Sequence, residues 1–149
     1  MASNPGPCPL SVPVRATLGD RPWRAALDFH EVPGLMRHLG TAVAIVCLYL
    51  TGMRPQEVQN LRSGCCPDPE PAADGTVGHH LVRSRHFKNV TDTDGHHISA
   101  GEIRAVPWVA IQPVVHAVRV LEQMVPDGEL LLSAAHHVRQ SRGALQSGA

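Results

Sequence analysis

Arg54 stands in the segment Tyr49-Leu50-Thr51-Gly52-Met53-Arg54-Pro55-Gln56-Glu57-Val58, at the junction of two helical stretches. Gly52 permits the tight turn that ends the first stretch, and Pro55 is pre-shaped for the opening position of the second. An arginine held at such a bend can lay its planar fork of donors on two oxygens of one phosphate. The positive end of the following helix then lies close by. Glu57, three positions on, can cap the second helix and also pair with Arg54. An ordinary helical hairpin could carry a surface arginine at the same place. The chemistry to look for is therefore recognition or transfer of a phosphoryl group.

Those residues resemble the first catalytic arginine box of the tyrosine recombinases, the phage-integrase family. In that family the arginine of this turn clamps the scissile DNA phosphate, and the acidic residue three positions later buttresses it. The resemblance thus implies catalytic roles for Arg54 and, in support, for Glu57. A second resemblance lies in Arg85-His86-Phe87-Lys88-Asn89, which places a lysine where an extended segment enters a hairpin connection. The family carries a lysine on a β-hairpin after the arginine box, and it donates a proton to the leaving 5′ oxygen. Lys88 matches that position. An ammonium suits the role because its pKa falls when it is desolvated beside other cations.

The reaction so implied is transesterification of a DNA phosphodiester. A tyrosine hydroxyl attacks phosphorus and displaces the 5′ oxygen, the covalent phosphotyrosyl link retains the energy of the broken bond, and a hydroxyl of a second strand later reverses the step. Cationic donors stabilise the charge growing on the non-bridging oxygens, so the resemblance implies no metal and no cofactor. The family also uses a His-x-x-Arg box and a late tyrosine. The sequence holds one tyrosine, Tyr49. Five positions before Arg54 within an apolar helix end, it is expected to be a core residue with its hydroxyl at the margin, and no nucleophile is assigned. His136 and Arg139 spell His-x-x-Arg but follow the third predicted helix almost directly, and the match is read as chance. The resemblance spans about Trp23 to Leu132, the first half of a catalytic domain. It implies a recombinase fragment, related to DNA integration and inactive by itself.

Composition sets the frame for that reading. With 149 residues and 43% hydrophobic content, one domain with one core is expected. Thirteen basic residues balance thirteen acidic ones, so bulk charge gives no drive toward DNA, and any binding must come from local placement. The apolar run Ala42 to Leu50 is short for a membrane span, and no secretion signal opens the chain. A cytoplasmic location is the expectation. The partners expected are DNA and other recombinase protomers, with no membrane.

The elements that must position these residues follow from periodicity. Glu31-Val32-Pro33-Gly34 starts a helix in which Leu35, Leu39, Ala42, Val43, Val46 and Leu50 recur at helical spacing, with Met36 and Ile45 widening a face expected to be mostly buried. A shorter helix runs from Pro55 through Val58 and Leu61, and Gly64 can end it. A loop rich in proline, aspartate and glycine follows, from Cys66 to Gly78. His80 to Arg85 and Glu102 to Trp108 are predicted to be extended and to pair as a β-hairpin around Asp94-Gly95. A third helix is expected over about Gln112 to Val125, with Val114, Val118, Leu121 and Val125 on its apolar face. The prediction is an α+β fold, mainly helical, with a small antiparallel hairpin or three-stranded sheet. Residues 1–22 read as a proline-rich extended lead-in, 23–132 as the partial catalytic domain and 133–149 as a poorly ordered tail.

Two further functions fit the composition. Arg83, Arg85, Lys88 and Arg104 could form a basic surface on the hairpin and bind DNA, or a partner, without catalysis. Alternatively, Cys65 and Cys66 could join His79 and His80, or His96 and His97, around zinc. The Cys-x-x-Cys spacing that marks such sites is missing, so no metal site is assigned. The spacings of Cys8, Cys47, Cys65 and Cys66 fit no disulfide scaffold, and reduced thiols are expected.

Overall fold

Pro33 in its first turn and Gly52 just past its last bracket a 20-residue helix, α1 (Val32–Thr51). Gly52 adopts φ 71°, and its N–H donates to the Leu48 carbonyl at 3.2 Å, closing the helix with a left-handed residue that glycine tolerates best. These features belong to a computed structural model that describes residues 7–133. A second helix, α2 (Pro55–Gln59), is only five residues long. It ends at Asn60, short of Leu61. A third, α3 (Gln112–Glu122), opens on Pro113 and buries Val114, Val115, Val118 and Leu121 on one face. It stops before the predicted end, and Val125 is buried beyond it.

α1 packs on α3, on α2 and on the strand that precedes α3. All its neighbours lie to one side. Gly40, Val43 and Cys47 are buried, whereas Ala42, Ile45, Tyr49 and Leu50 are exposed. The expectation of a mostly buried helix is therefore corrected. So is the placing of Tyr49 in the core, because that residue is 85% exposed. Its spacing from Ala42 and Ile45 puts it on the face turned away from α3. By length and apolarity α1 is also long enough to cross a bilayer, although the short run Ala42 to Leu50 did not indicate it. One side of it packs against α2 and α3, and the apolar remainder is exposed.

Antiparallel pairs make up the strands. β1 (Thr17–Leu18) and β2 (Arg21–Pro22) form a small hairpin around Gly19, within the segment read as an extended lead-in. Strands this short carry no periodicity to read. The Asp28 carboxylate then holds this region to α1's entrance by accepting the Cys8 and His30 N–H groups, both at 2.8 Å.

The predicted hairpin is present as an interrupted ribbon. β3 (His80–Val82) pairs with β6 (Trp108–Ala110), and β4 (Arg85–His86) pairs with β5 (Glu102–Ile103). Between the two ladders, residues 83–84 face residues 104–107, so the returning strand carries two extra residues. Pro107 has no N–H to donate, which breaks the continuous strand predicted from Glu102 to Trp108. Arg104 N–H still reaches the Ser84 carbonyl at 3.1 Å. The excess backbone, Ala105 to Pro107, bulges.

The core gathers Val43, Cys47, Val58, Leu61, Cys66, Val82, Trp108, Val114, Val118, Leu121 and Leu131. After α3 the chain returns to α2. Leu131 N–H donates to the Leu61 carbonyl, and Ser63 N–H to the Glu129 carbonyl, both at 2.9 Å. Arg119 bonds Glu122 at 2.7 Å and Asp68 at 2.9 Å, tying the proline-rich loop to α3. Helices with small antiparallel sheets make this an α+β chain. His136 and Arg139, and all of the predicted tail except Ser133, lie outside the described residues.

Candidate nucleic-acid interface

Arg54 takes an extended backbone, φ −81° and ψ 156°, between left-handed Gly52 and helical Pro55. The turn before it is fastened by Thr51, whose hydroxyl donates to the Cys47 carbonyl at 2.6 Å and accepts the Met53 N–H at 3.2 Å. Met53 is buried, which anchors the bend on the core. Glu57 then holds Arg54 itself. Its Oε2 accepts the Arg54 backbone N–H at 2.6 Å, and its Oε1 lies 3.8 Å from the guanidinium Nη1. The Glu57 side chain is 6% exposed and that of Arg54 is 55% exposed. The carboxylate is thus committed inward, while the guanidinium keeps an open face. With only five residues, α2 adds little of the dipole that the sequence suggested.

The ribbon reaches the same place. Gly52, Arg54, Glu57, His86, Arg104 and Trp108 line one cleft of about 310 Å³. Ser84 is the link. Its hydroxyl lies 3.4 Å from the Glu57 carbonyl and its own carbonyl accepts the Arg104 N–H. The Arg104 guanidinium stacks over the Trp108 ring, 4.3 Å from the centroid. His86 Nε2 lies 3.1 Å from Glu102 Oε1 at the edge of the site. Two arginines therefore converge on a cleft whose one lining carboxylate is already bonded.

The other predicted basic residues separate. Arg85 spends its guanidinium on the Gly101 carbonyl at 2.9 Å and the Ala100 carbonyl at 3.3 Å, bracing the ribbon. Arg83 lines a different groove of about 600 Å³ with Asp68, Glu70, His79 and Leu81. That groove is larger, but two carboxylates offset its one arginine, which disfavours an anion. Lys88 is exposed in the turn after β4, before Asn89 at φ 60°. The ribbon's contribution to the Arg54 cleft is His86 and Arg104, and Lys88 is not among its lining residues. Of Arg83, Arg85, Lys88 and Arg104, only Arg104 lines the Arg54 cleft. His86 and Trp108 were not predicted as site residues, and no motif marks them. Only the ribbon's register brings them to Arg54.

Among the described residues, Cys65 and Cys66 do not join any histidine pair in a cluster at metal-ligand spacing. The one such cluster is Asp92, Asp94 and His96, all exposed in a turn. The three inner thiols are buried and free. Burial, with a smaller push from neighbouring thiols, raises Cys47 to about 11 and Cys65 to about 12. Neutral thiols of this kind are poor nucleophiles.

No family model matches the chain, and no curated protein or solved structure matches it.

Proposed function

We propose that this chain is part of the catalytic domain of a site-specific DNA recombinase of the tyrosine type, with Arg54 gripping a backbone phosphate. The observation that carries the reading is the Glu57-held Arg54, whose guanidinium opens into a cleft shared with a second arginine. Glu57 positions Arg54, and an arginine fork suits a phosphodiester better than a point charge would. On this reading Lys88, exposed on a turn of the ribbon outside the cleft, has to approach the phosphate when DNA binds in order to deliver a proton to the leaving oxygen.

Tyr49, the one tyrosine of the sequence, does not line the cleft, so on this reading the sequence supplies no tyrosine nucleophile. Strand cleavage then depends on a tyrosine from outside this sequence. The same observation supports a second reading, a DNA-binding unit without chemistry. Two measurements test the pair. Arg54→Ala is expected to weaken binding of a short duplex about tenfold and to flatten its salt dependence by roughly one phosphate's worth. A nicked suicide duplex is expected to yield no covalent adduct with this chain alone. Unchanged affinity in Arg54→Ala would defeat both readings, and an adduct through Tyr49 would defeat the assignment of a missing nucleophile.

A further inference from the structure

The Arg54 cleft holds a second guanidinium with no acidic partner. Among the described residues Arg104 makes no ion pair: its backbone N–H is taken by Ser84, and its side chain lies on Trp108. Its neighbours in the cleft are Arg54 and His86, with Glu57 the only carboxylate among the lining residues. Glu102, which pairs with His86, is 57% exposed and does not line the cleft. Two like charges converging on one concave site repel each other unless an anion lies between them.

We propose that Arg104 is a second phosphate-binding residue, that it closes with Arg54 on one phosphate of a nucleic-acid backbone, and that Trp108 positions it. The inference rests on the reading of the cleft as a DNA-phosphate site and adds the residue that completes the clamp. Stacking fixes the plane of the guanidinium and leaves its N–H edges free to point at oxygens lying in that plane. Trp108 can serve as a platform because it is 6% exposed and fixed opposite Val82 in the β3–β6 ladder. A short chain of bonds sets the two arginines relative to each other: Arg54 N–H to Glu57 Oε2, Ser84 hydroxyl to Glu57 carbonyl, Arg104 N–H to Ser84 carbonyl. Their spacing is thus built into the backbone before a ligand arrives. The bulge of residues 104–107 is the device that turns Arg104 out of the ladder toward the cleft.

The test uses the full chain with Trp23→Phe, so that Trp108 is the sole tryptophan, and a short fluorescein-labelled duplex as probe. Duplex binding is expected to shift Trp108 emission, because the arginine on its face changes partners. Arg104→Ala should weaken binding about tenfold and abolish the shift. Arg104→Lys should recover only part of the affinity, since an ammonium neither stacks as a plane nor offers a fork. The Arg54→Ala, Arg104→Ala double variant should lose less than the product of the single losses, as two groups on one phosphate do. Thermal melting of each variant shows that it is folded. If Arg104→Ala binds as the parent does while Arg54→Ala is weakened, the second clamp is refuted and the phosphate site stands. Full multiplicativity refutes the shared phosphate. If the parent chain fails to bind, or neither arginine matters, both the inference and the reading beneath it fall.

Discussion

The Glu57 carboxylate, almost wholly buried, holds the backbone N–H of Arg54 at 2.6 Å while the Arg54 guanidinium stays more than half exposed. A buried carboxylate is stable only with such partners, so the structure and the site share one interaction. Glu57→Ala removes the partner of a half-buried N–H and the cap of α2 together. The expected loss is about 1–2 kcal/mol of stability by urea denaturation. Glu57→Gln keeps an acceptor and should lose less than half of that. Equal losses in the two variants would show that charge, and not capping, dominates.

Gly101 lies where the ribbon turns back beside the cleft. It takes φ 64°, and a Cβ there would meet the His86 carbonyl at 2.6 Å and the Phe87 ring at 2.7 Å. Both the conformation and the space exclude a side chain. Gly101→Ala is expected to cost about 1–3 kcal/mol and to displace His86 from Glu102. Gly75→Ala, at φ 82° with nothing within 4 Å, supplies a control that carries the φ strain without the clash. Comparing their melting temperatures isolates the cost of the contact.

Helix positions were readable because their signals are local: Pro33, Pro55 and Pro113 open the three helices, and Gly52 closes the first. The bend that exposes Arg54 follows from Gly52 and Pro55 for the same reason. What could not be read was non-local. Periodicity showed a wide apolar face on α1, but not that its neighbours cover only part of it and leave Tyr49 outside. Nor does any spacing reveal that two residues face four across the ribbon, and that mismatch decides that Arg104 and His86, with Trp108, meet Arg54. Arg85 has the composition of a DNA contact, yet backbone carbonyls take its donors.

The buried thiols make stability depend on alkaline pH. Burial raises Cys65 from 9.0 to about 12 and Cys47 from 9.0 to about 11 in the folded chain. A raised folded pKa means that the native state holds its proton more tightly than the unfolded one. Its contribution is complete below about pH 9 and is lost as pH climbs through 11 to 12. Denaturation midpoints should therefore fall steeply above pH 9, and Cys65→Ala should flatten that slope by about one proton. At neutral pH, a thiol reagent should modify exposed Cys8 quickly and the three buried cysteines only on unfolding. Fast modification of Cys65 in the native chain would contradict its placement.

The segment that returns after α3 lies against the chain just past α2. Leu131 is fully buried and its N–H donates to the Leu61 carbonyl, just past α2. Leu61 and Val58 belong to the same core as Leu131, so the residues that follow Arg54 are anchored with it. Leu131→Ala is expected to cost about 2–5 kcal/mol through lost burial and the cavity left behind. Arg62→Ala, which removes only an exposed bond to the Gly128 carbonyl at 2.9 Å, should cost below about 1 kcal/mol. Hydrogen exchange gives the sharper readout. Leu131→Ala should speed exchange of the amides of Val58 and Leu61 more than those of the β4–β5 ribbon, because the loss enters through α2. Uniform acceleration across the chain would mean that the returning segment supports the whole core and has no special bearing on the Arg54 turn.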